Sequence, residues 1–117
     1  MIYKQLNEQF SVSDQITTDD IAEIASHNVD LIICNRPDDE EPGQPKYADI
    51  KKAIESHGLK AELMDFSSYH IDEVQRDKLI PFIQTGQKIH LYCRTGSRST
   101  RLWRSTVHLT MSEPEAV

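Results

Sequence analysis

Cysteine is scarce in this chain: Cys34 and Cys93 are the only two in 117 residues. Two thiols make no disulfide framework, so a reducing, cytoplasmic setting is expected. Positive charge is in short supply too, with 13 Lys and Arg against 19 Asp and Glu and a net charge of −6. Nucleic acid and anionic membrane are therefore poor general partners, and any anion site must be a local positive island. No apolar run approaches the length that spans a bilayer. The start, "MIYKQLNEQF", lacks the basic residues and apolar stretch of a signal peptide. Low-complexity tracts and internal repeats are absent. The histidines His27, His57, His70, His90 and His108 are scattered, no pair has metal-ligand spacing, and neither a metal site nor a cofactor is expected.

What is present reads as one domain over residues 1–117. Short alternating pieces around Tyr3–Leu6 and Phe10–Val12 read as edge strands. "TTDDIAEIASHN" reads as a helix, capped by Thr17 or Thr18, with Asp19 and Asp20 in its first turn. "VDLIIC" is a buried strand by its β-branched, charge-poor run. A long acidic loop, "NRPDDEEPGQP", follows. A helix is predicted from near Pro45 to Gly58. "KAELMDF" is a strand, and Asp72 caps a helix through about Phe82 to Gln84 that Pro81 should kink or shorten. "KIHLYC" is the last buried strand, and Ser99 to Met111 the last helix, which its polar "RSTVHLTMSEPEAV" end could leave short or frayed. Strand and helix alternate, so the fold class is α/β: a mostly parallel central sheet with helices on both faces. Parallel strands end on one edge. The loops after Cys34, Phe66 and Cys93 therefore converge there, where open α/β sheets bind ligands.

The chemistry concentrates in "YCRTGSRSTRLW", Tyr92 to Trp103. Cys93 ends a strand, Arg94, Thr95, Gly96 and Ser97 make a tight turn, and a helix begins at about Ser99. The first amides of that helix lack helical partners and point into the turn. With the loop amides they form a nest for an anion, with the sulfur at its base. The helix dipole and Arg98 favour a thiolate and should bring Cys93 below the free-thiol value of about 8.5. Ser99 can donate a hydrogen bond to the sulfur. Nucleophile and oxyanion holder would then share one loop. The plain alternative is a buried structural cysteine beside a basic turn.

"ICNRPDDEEPGQP", followed at a distance by "YCRTGSRSTRLW", resembles the beta-lactamase hydrolase-like phosphatase domain family. That family is bacterial, and its fold is similar to dual-specificity and tyrosine phosphatases. The resemblance runs from about Tyr3 to Trp103. It implies that Cys93 is the nucleophile and Arg98 the loop arginine. It also matches Asn35, Arg36, Pro37 and Asp38 to the loop after the second core strand. Four residues lie between Cys93 and Arg98, where tyrosine phosphatases place five. Four is similar to the rhodanese sulfurtransferases, whose tighter ring suits a persulfide.

A phosphatase also needs an acid for the leaving oxygen. Asp38 is the first choice, with Asp39, Glu40 and Glu41 as neighbours. Asp65, Asp72 and His70 flank the other converging loop and come second. Arg36 could bind the substrate anion or pair with the acidic run. Cys34 could resolve an oxidised Cys93, or be a core residue; Trp103 reads as core packing. The expected function is a cysteine-dependent phosphatase acting on a small anionic or phosphorylated substrate. The alternatives are a sulfurtransferase carrying a persulfide on Cys93, and an anion-binding regulatory module that does not turn over.

Overall fold

Three strands of four residues have every side chain buried: β2 (Phe10–Ser13), β3 (Leu31–Cys34) and β5 (Ile89–Tyr92). Burial on both faces is the mark of parallel strands sandwiched between helix layers. The computed structural model describes residues 1–111, with side chains to residue 107. In it these strands form the centre of a five-stranded sheet. The spatial order is β1-β2-β5-β3-β4, with β1 (Lys4–Gln5) and β4 (Lys60–Leu63) at the edges. Only β1 runs antiparallel. Both edge strands are largely exposed, as their lysines and glutamate require.

The helices fall on both faces. A 3-10 turn (Thr18–Asp20), α1 (Ile21–Ala25) and α2 (Tyr47–Ser56) cover one. Their Ile21, Ile24, Ile50 and Ile54 pack with Ile32, Cys34 and Tyr92. Helices α3 (Glu73–Gln84) and α4 (Ser97–Met111) cover the other, where Leu79 and Leu102 meet Phe10, Leu31, Ile33, Ile89 and Leu91. Asp72 caps α3 through Val74 N–H at 3.0 Å, within a capping box closed by Gln75.

Three expectations are corrected. Phe10–Val12 is no edge strand: β2 lies between β1 and β5, and Phe10 pairs with Ile89. Pro81 does not shorten α3, which runs on to Gln84, because one missing amide near a C-terminus removes a single helical bond. Helix α4 starts two residues early at Ser97 and reaches Met111, so it is not short. Residues 112–117 of its polar end lie outside the described residues. Among the described residues no helix is long and apolar enough to cross a membrane.

Candidate active site

Because β2, β5, β3 and β4 are parallel, four loops leave the same edge, one more than the sequence indicated. The addition is the turn after β2. Its Gln15 amide donates to the Arg94 carbonyl at 3.2 Å, so it lies against the cysteine loop. Gly96, with φ of +94°, lets the loop pass there: a Cβ would sit 3.4 Å from the Ser13 carbonyl oxygen, in a conformation L residues rarely adopt.

Cys93 is the floor of that loop and has no exposed surface. The amide of Gly96 donates to its sulfur at 3.1 Å. The sulfur thus accepts a hydrogen bond from the loop. Ser99 was expected to donate to the sulfur as well. Instead its hydroxyl donates to Asn35 Oδ1 at 2.8 Å, while Asn35 Nδ2 donates to the Met64 carbonyl at 3.0 Å. This buried chain ties α4 to the ends of β3 and β4, and a hydroxyl committed there is not free for the sulfur.

Arg98 reaches back across the loop and is 3% exposed. Its Nη1 and Nη2 both donate to the Glu40 carboxylate at 2.7 Å, and Nη1 also donates to the Phe66 carbonyl at 2.9 Å. No described residue takes the Nε–H, so the guanidinium is clamped by its tip and keeps its side for another anion. The hydrogen bond from Arg98 holds the Glu40 carboxyl below its ordinary range; reciprocally, Glu40 pushes Arg98 up. Arg36 completes the scaffold. It is buried, donating Nε to Glu40 at 2.9 Å, Nη2 to Glu41 at 2.9 Å and Nη1 to Gln15 Oε1 at 3.0 Å. Of the two expected roles it takes pairing with the acidic run.

The mouth over Arg98 is a cavity of about 380 Å³ lined by Glu40, Glu41, Ser67, Tyr69, Arg94 and Arg98. The four expected acids stand elsewhere. Asp38 Oδ1 accepts the Tyr47 amide at 2.9 Å and so caps α2. Asp72 caps α3. Asp65 lines a small cleft with Gln75 and Lys78, and His70 is exposed, its amide on Ser68 Oγ. Thr95, Gly96 and Ser97 line a different groove, on the outer side of the loop. Glu40 is the residue that reading by motif passed over as a mere neighbour of Asp38. The signal was available: a buried arginine needs a carboxylate within reach. Among the described residues no cluster of three His, Cys, Asp or Glu could hold a metal.

Cys34 is on the other side of the sheet. It pairs in register with Tyr92, so Cys93, one residue further, faces the opposite way. Its thiol donates to the Arg36 carbonyl at 3.2 Å, and burial pushes its pKa up to about 11. It is a core residue.

A mostly parallel sheet with helices on both faces, whose last strand turns through Cys93 and Gly96 into a helix carrying a buried arginine, is the framework of the phosphatase-like α/β domains. The comparisons agree and are more specific. The phosphatase-like domain of beta-lactamase hydrolase-like proteins matches residues 3–109, and the chain belongs to that family. A crystal structure from Neisseria meningitidis, assigned as a candidate phosphatase, is similar with a TM-score of 0.82 and 30% identity over 94% of this chain and 79% of that one. A Shewanella putrefaciens protein assigned in the same way gives 0.79 at 13% identity, over 92% of this chain and 68% of that one. PTPMT1 gives 0.70 at 12%, over 94% and 73%. The last two show the fold, which is that of the tyrosine phosphatases. None of the curated proteins matches.

Proposed function

We propose that this domain is a cysteine-dependent phosphomonoesterase. The observation that carries the reading is the Gly96 amide aimed at the Cys93 sulfur, beside an arginine whose Nε edge is open. In the first step the Cys93 thiolate attacks phosphorus: an S–P bond forms and the P–O bond to the leaving group breaks. The Arg98 Nε–H and the Arg94 and Thr95 amides hold the equatorial oxygens as charge shifts onto them, while the Gly96 and Ser97 amides stay on Cys93 Sγ and Thr95 Oγ1. The leaving oxygen takes a proton from an acid, which we assign to Asp38. To serve, that carboxyl must leave the α2 amide it caps. Glu40 and Glu41 are poorer donors, because their arginine partners keep both ionised. In the second step water forms a P–O bond, the S–P bond breaks, and the proton from water returns to Asp38. Since Cys93 has no exposed surface, the loop has to open slightly before sulfur meets phosphorus.

The test offers purified protein an aryl phosphate and, separately, thiosulfate with cyanide. Phosphate release, with a phosphoryl adduct on Cys93 in acid-quenched samples, is expected. Thiocyanate formation without phosphate release would overturn the reading in favour of a sulfurtransferase, to which the four-residue spacing is suited. Neither product would leave an anion-binding module.

A further inference from the structure

Strand β4 pairs with β3 on one side and, among the described residues, with no strand on the other. The Lys60 amide donates to the Asp30 carbonyl at 3.0 Å, and just past the strand the Met64 amide donates to the Cys34 carbonyl at 2.9 Å. Ladder groups alternate sides along a strand, so Ala61 and Leu63 turn their N–H and C=O groups outward. Side chains alternate between the two faces as well. Lys60 and Glu62 stand on the face of Leu31 and Ile33, and Ala61 and Leu63 on the face of Ile32 and Cys34. Lys60 and Glu62 are exposed, and Leu63 is 45% exposed. The ion pairs of the described residues all take their acids from Asp39, Glu40 and Glu41, so neither Lys60 nor Glu62 is engaged in one.

An open edge of this kind is a template for another strand, and a lone edge lysine ordinarily repels one. Here a glutamate follows the lysine two residues on, and the pair is self-complementary in one register. Two copies of β4, antiparallel about a two-fold axis through Ala61, set Lys60 opposite the partner's Glu62 and Glu62 opposite the partner's Lys60. Ala61 then exchanges both backbone hydrogen bonds with its own copy, and Leu63 falls opposite the partner's Leu59. Moving the axis to Lys60 or to Glu62 brings like charges face to face. We propose that β4 is the contact strand of a two-fold homodimer, in which the sheets of two copies of this chain join into one. The two-fold reverses the strand direction, so the two mouths over Arg98 face opposite ways. Four residues from each strand make a contact at the small end of protein interfaces, so the dimer forms only as concentration rises. It does not depend on the phosphatase reading.

Sedimentation equilibrium of the full chain at low ionic strength, from micromolar to millimolar concentration, reads the association. A shift from 13.4 kDa towards twice that mass is expected. Lys60→Glu and Glu62→Lys should each raise the dissociation constant about tenfold or more, because each sets like charges opposite one another on both sides of the axis. The double variant Lys60→Glu/Glu62→Lys exchanges the two charges and should dimerise like the wild type. An equimolar mixture of the two single variants should dimerise as well, a recovery that misfolded chains would not give. Ala61→Pro removes an N–H that only the partner uses, and should abolish the dimer while leaving the circular dichroism of the monomer unchanged. A mass that stays at 13.4 kDa throughout overturns the proposal. So does a dimer indifferent to the single variants, or one lost in them and not recovered in the double variant. Species beyond the dimer overturn it too, since they would mean β4 pairing with β1 of the next copy in an open chain.

Discussion

Cys34 and Cys93 end neighbouring parallel strands at the same edge, are 2% and 0% exposed, and differ by one step of register. That step decides their surroundings. Cys34 falls on the side of Tyr92, Ile50 and Ile54, and its thiol is a hydrogen-bond donor to a carbonyl. Cys93 falls under the start of α4, and its sulfur is an acceptor from an amide. Burial alone would have ranked the two cysteines equal, so what separates the core thiol from the candidate nucleophile here is strand parity, which puts one among Tyr92, Ile50 and Ile54 and the other beneath the Gly96 turn.

The largest effect should come from breaking that contrast directly. Cys93→Ser is expected to lower aryl phosphate turnover by several orders of magnitude, as loss of a nucleophile does. Cys34→Ser keeps a donor for the Arg36 carbonyl and should leave most of the activity. Comparable losses in both variants, in initial-rate assays on folded protein, would show that the two sites are not distinct.

Next in size is the acid. Asp38→Asn keeps an oxygen to cap the Tyr47 amide but carries no proton to give. Alkyl phosphate hydrolysis should fall by about 10²–10⁴-fold, and hydrolysis of aryl phosphates with good leaving groups far less. Asp38→Ala should in addition lose about 0.5–2 kcal/mol of stability with the cap. Equal rate losses on the two substrate classes would move the acid to Asp65, Asp72 or His70.

Glu40 sharpens the Cys93 side from the wall of the mouth. It is a positioning residue: it holds the tip of Arg98 so that the Nε edge is presented. Glu40→Gln retains one oxygen for that fork but loses the charge, so a roughly tenfold loss is expected, in keeping with one charge-assisted bond of about 1.5–3 kcal/mol made weaker. The loss should appear in KM for phosphate esters and in the inhibition constant of inorganic phosphate alike. A gain in affinity would mean that Glu40 competes with the substrate for Arg98 rather than orienting it.

Much of this was legible before any coordinates. The apolar runs ending in Cys34 and Cys93 located β3 and β5, and the glycine turn before a polar helix start located the loop between β5 and α4. Misreading Phe10–Val12 as an edge strand had a cost beyond topology: it hid the turn carrying Ser13 and Gln15, which packs on Gly96 and supports Arg36. Serine at positions 11 and 13 made β2 look half solvated, but both hydroxyls are buried on His90. Side-chain pairing across loops was not legible either. Nothing local distinguishes Glu40 from Asp38, and only the fold brings one to Arg98 and the other to α2.

His90 offers the smallest effect and a test of the opposite side of the sheet. It stands on β5 with the parity of Tyr92, and is fully buried. Ser13 Oγ gives its proton to the Asp14 carbonyl at 2.9 Å, so it must accept from His90 Nε2–H at 2.8 Å; Nδ1 then accepts from Ser11 Oγ at 2.8 Å. Both ring nitrogens are used by a neutral imidazole, and Tyr3 stacks over the ring. Burial, and then the nearby His27, lower its pKa from the ordinary 6.5 to about 3. The unfolded chain takes up this proton at about pH 6.5, the folded chain only near 3, so the stability it contributes is complete above pH 6.5 and declines as pH falls between the two. The decline should approach about 1.4 kcal/mol per pH unit, or about 2 kcal/mol between pH 6.5 and 5. Glu40 and Glu41, both held below the ordinary carboxylate range, change protonation only in stronger acid and leave that window to His90. Urea unfolding at pH 7, 6 and 5 measures the slope. His90→Asn should flatten it at the expense of stability at pH 7, and an equal slope in variant and wild type would show that His90 is not the group that titrates.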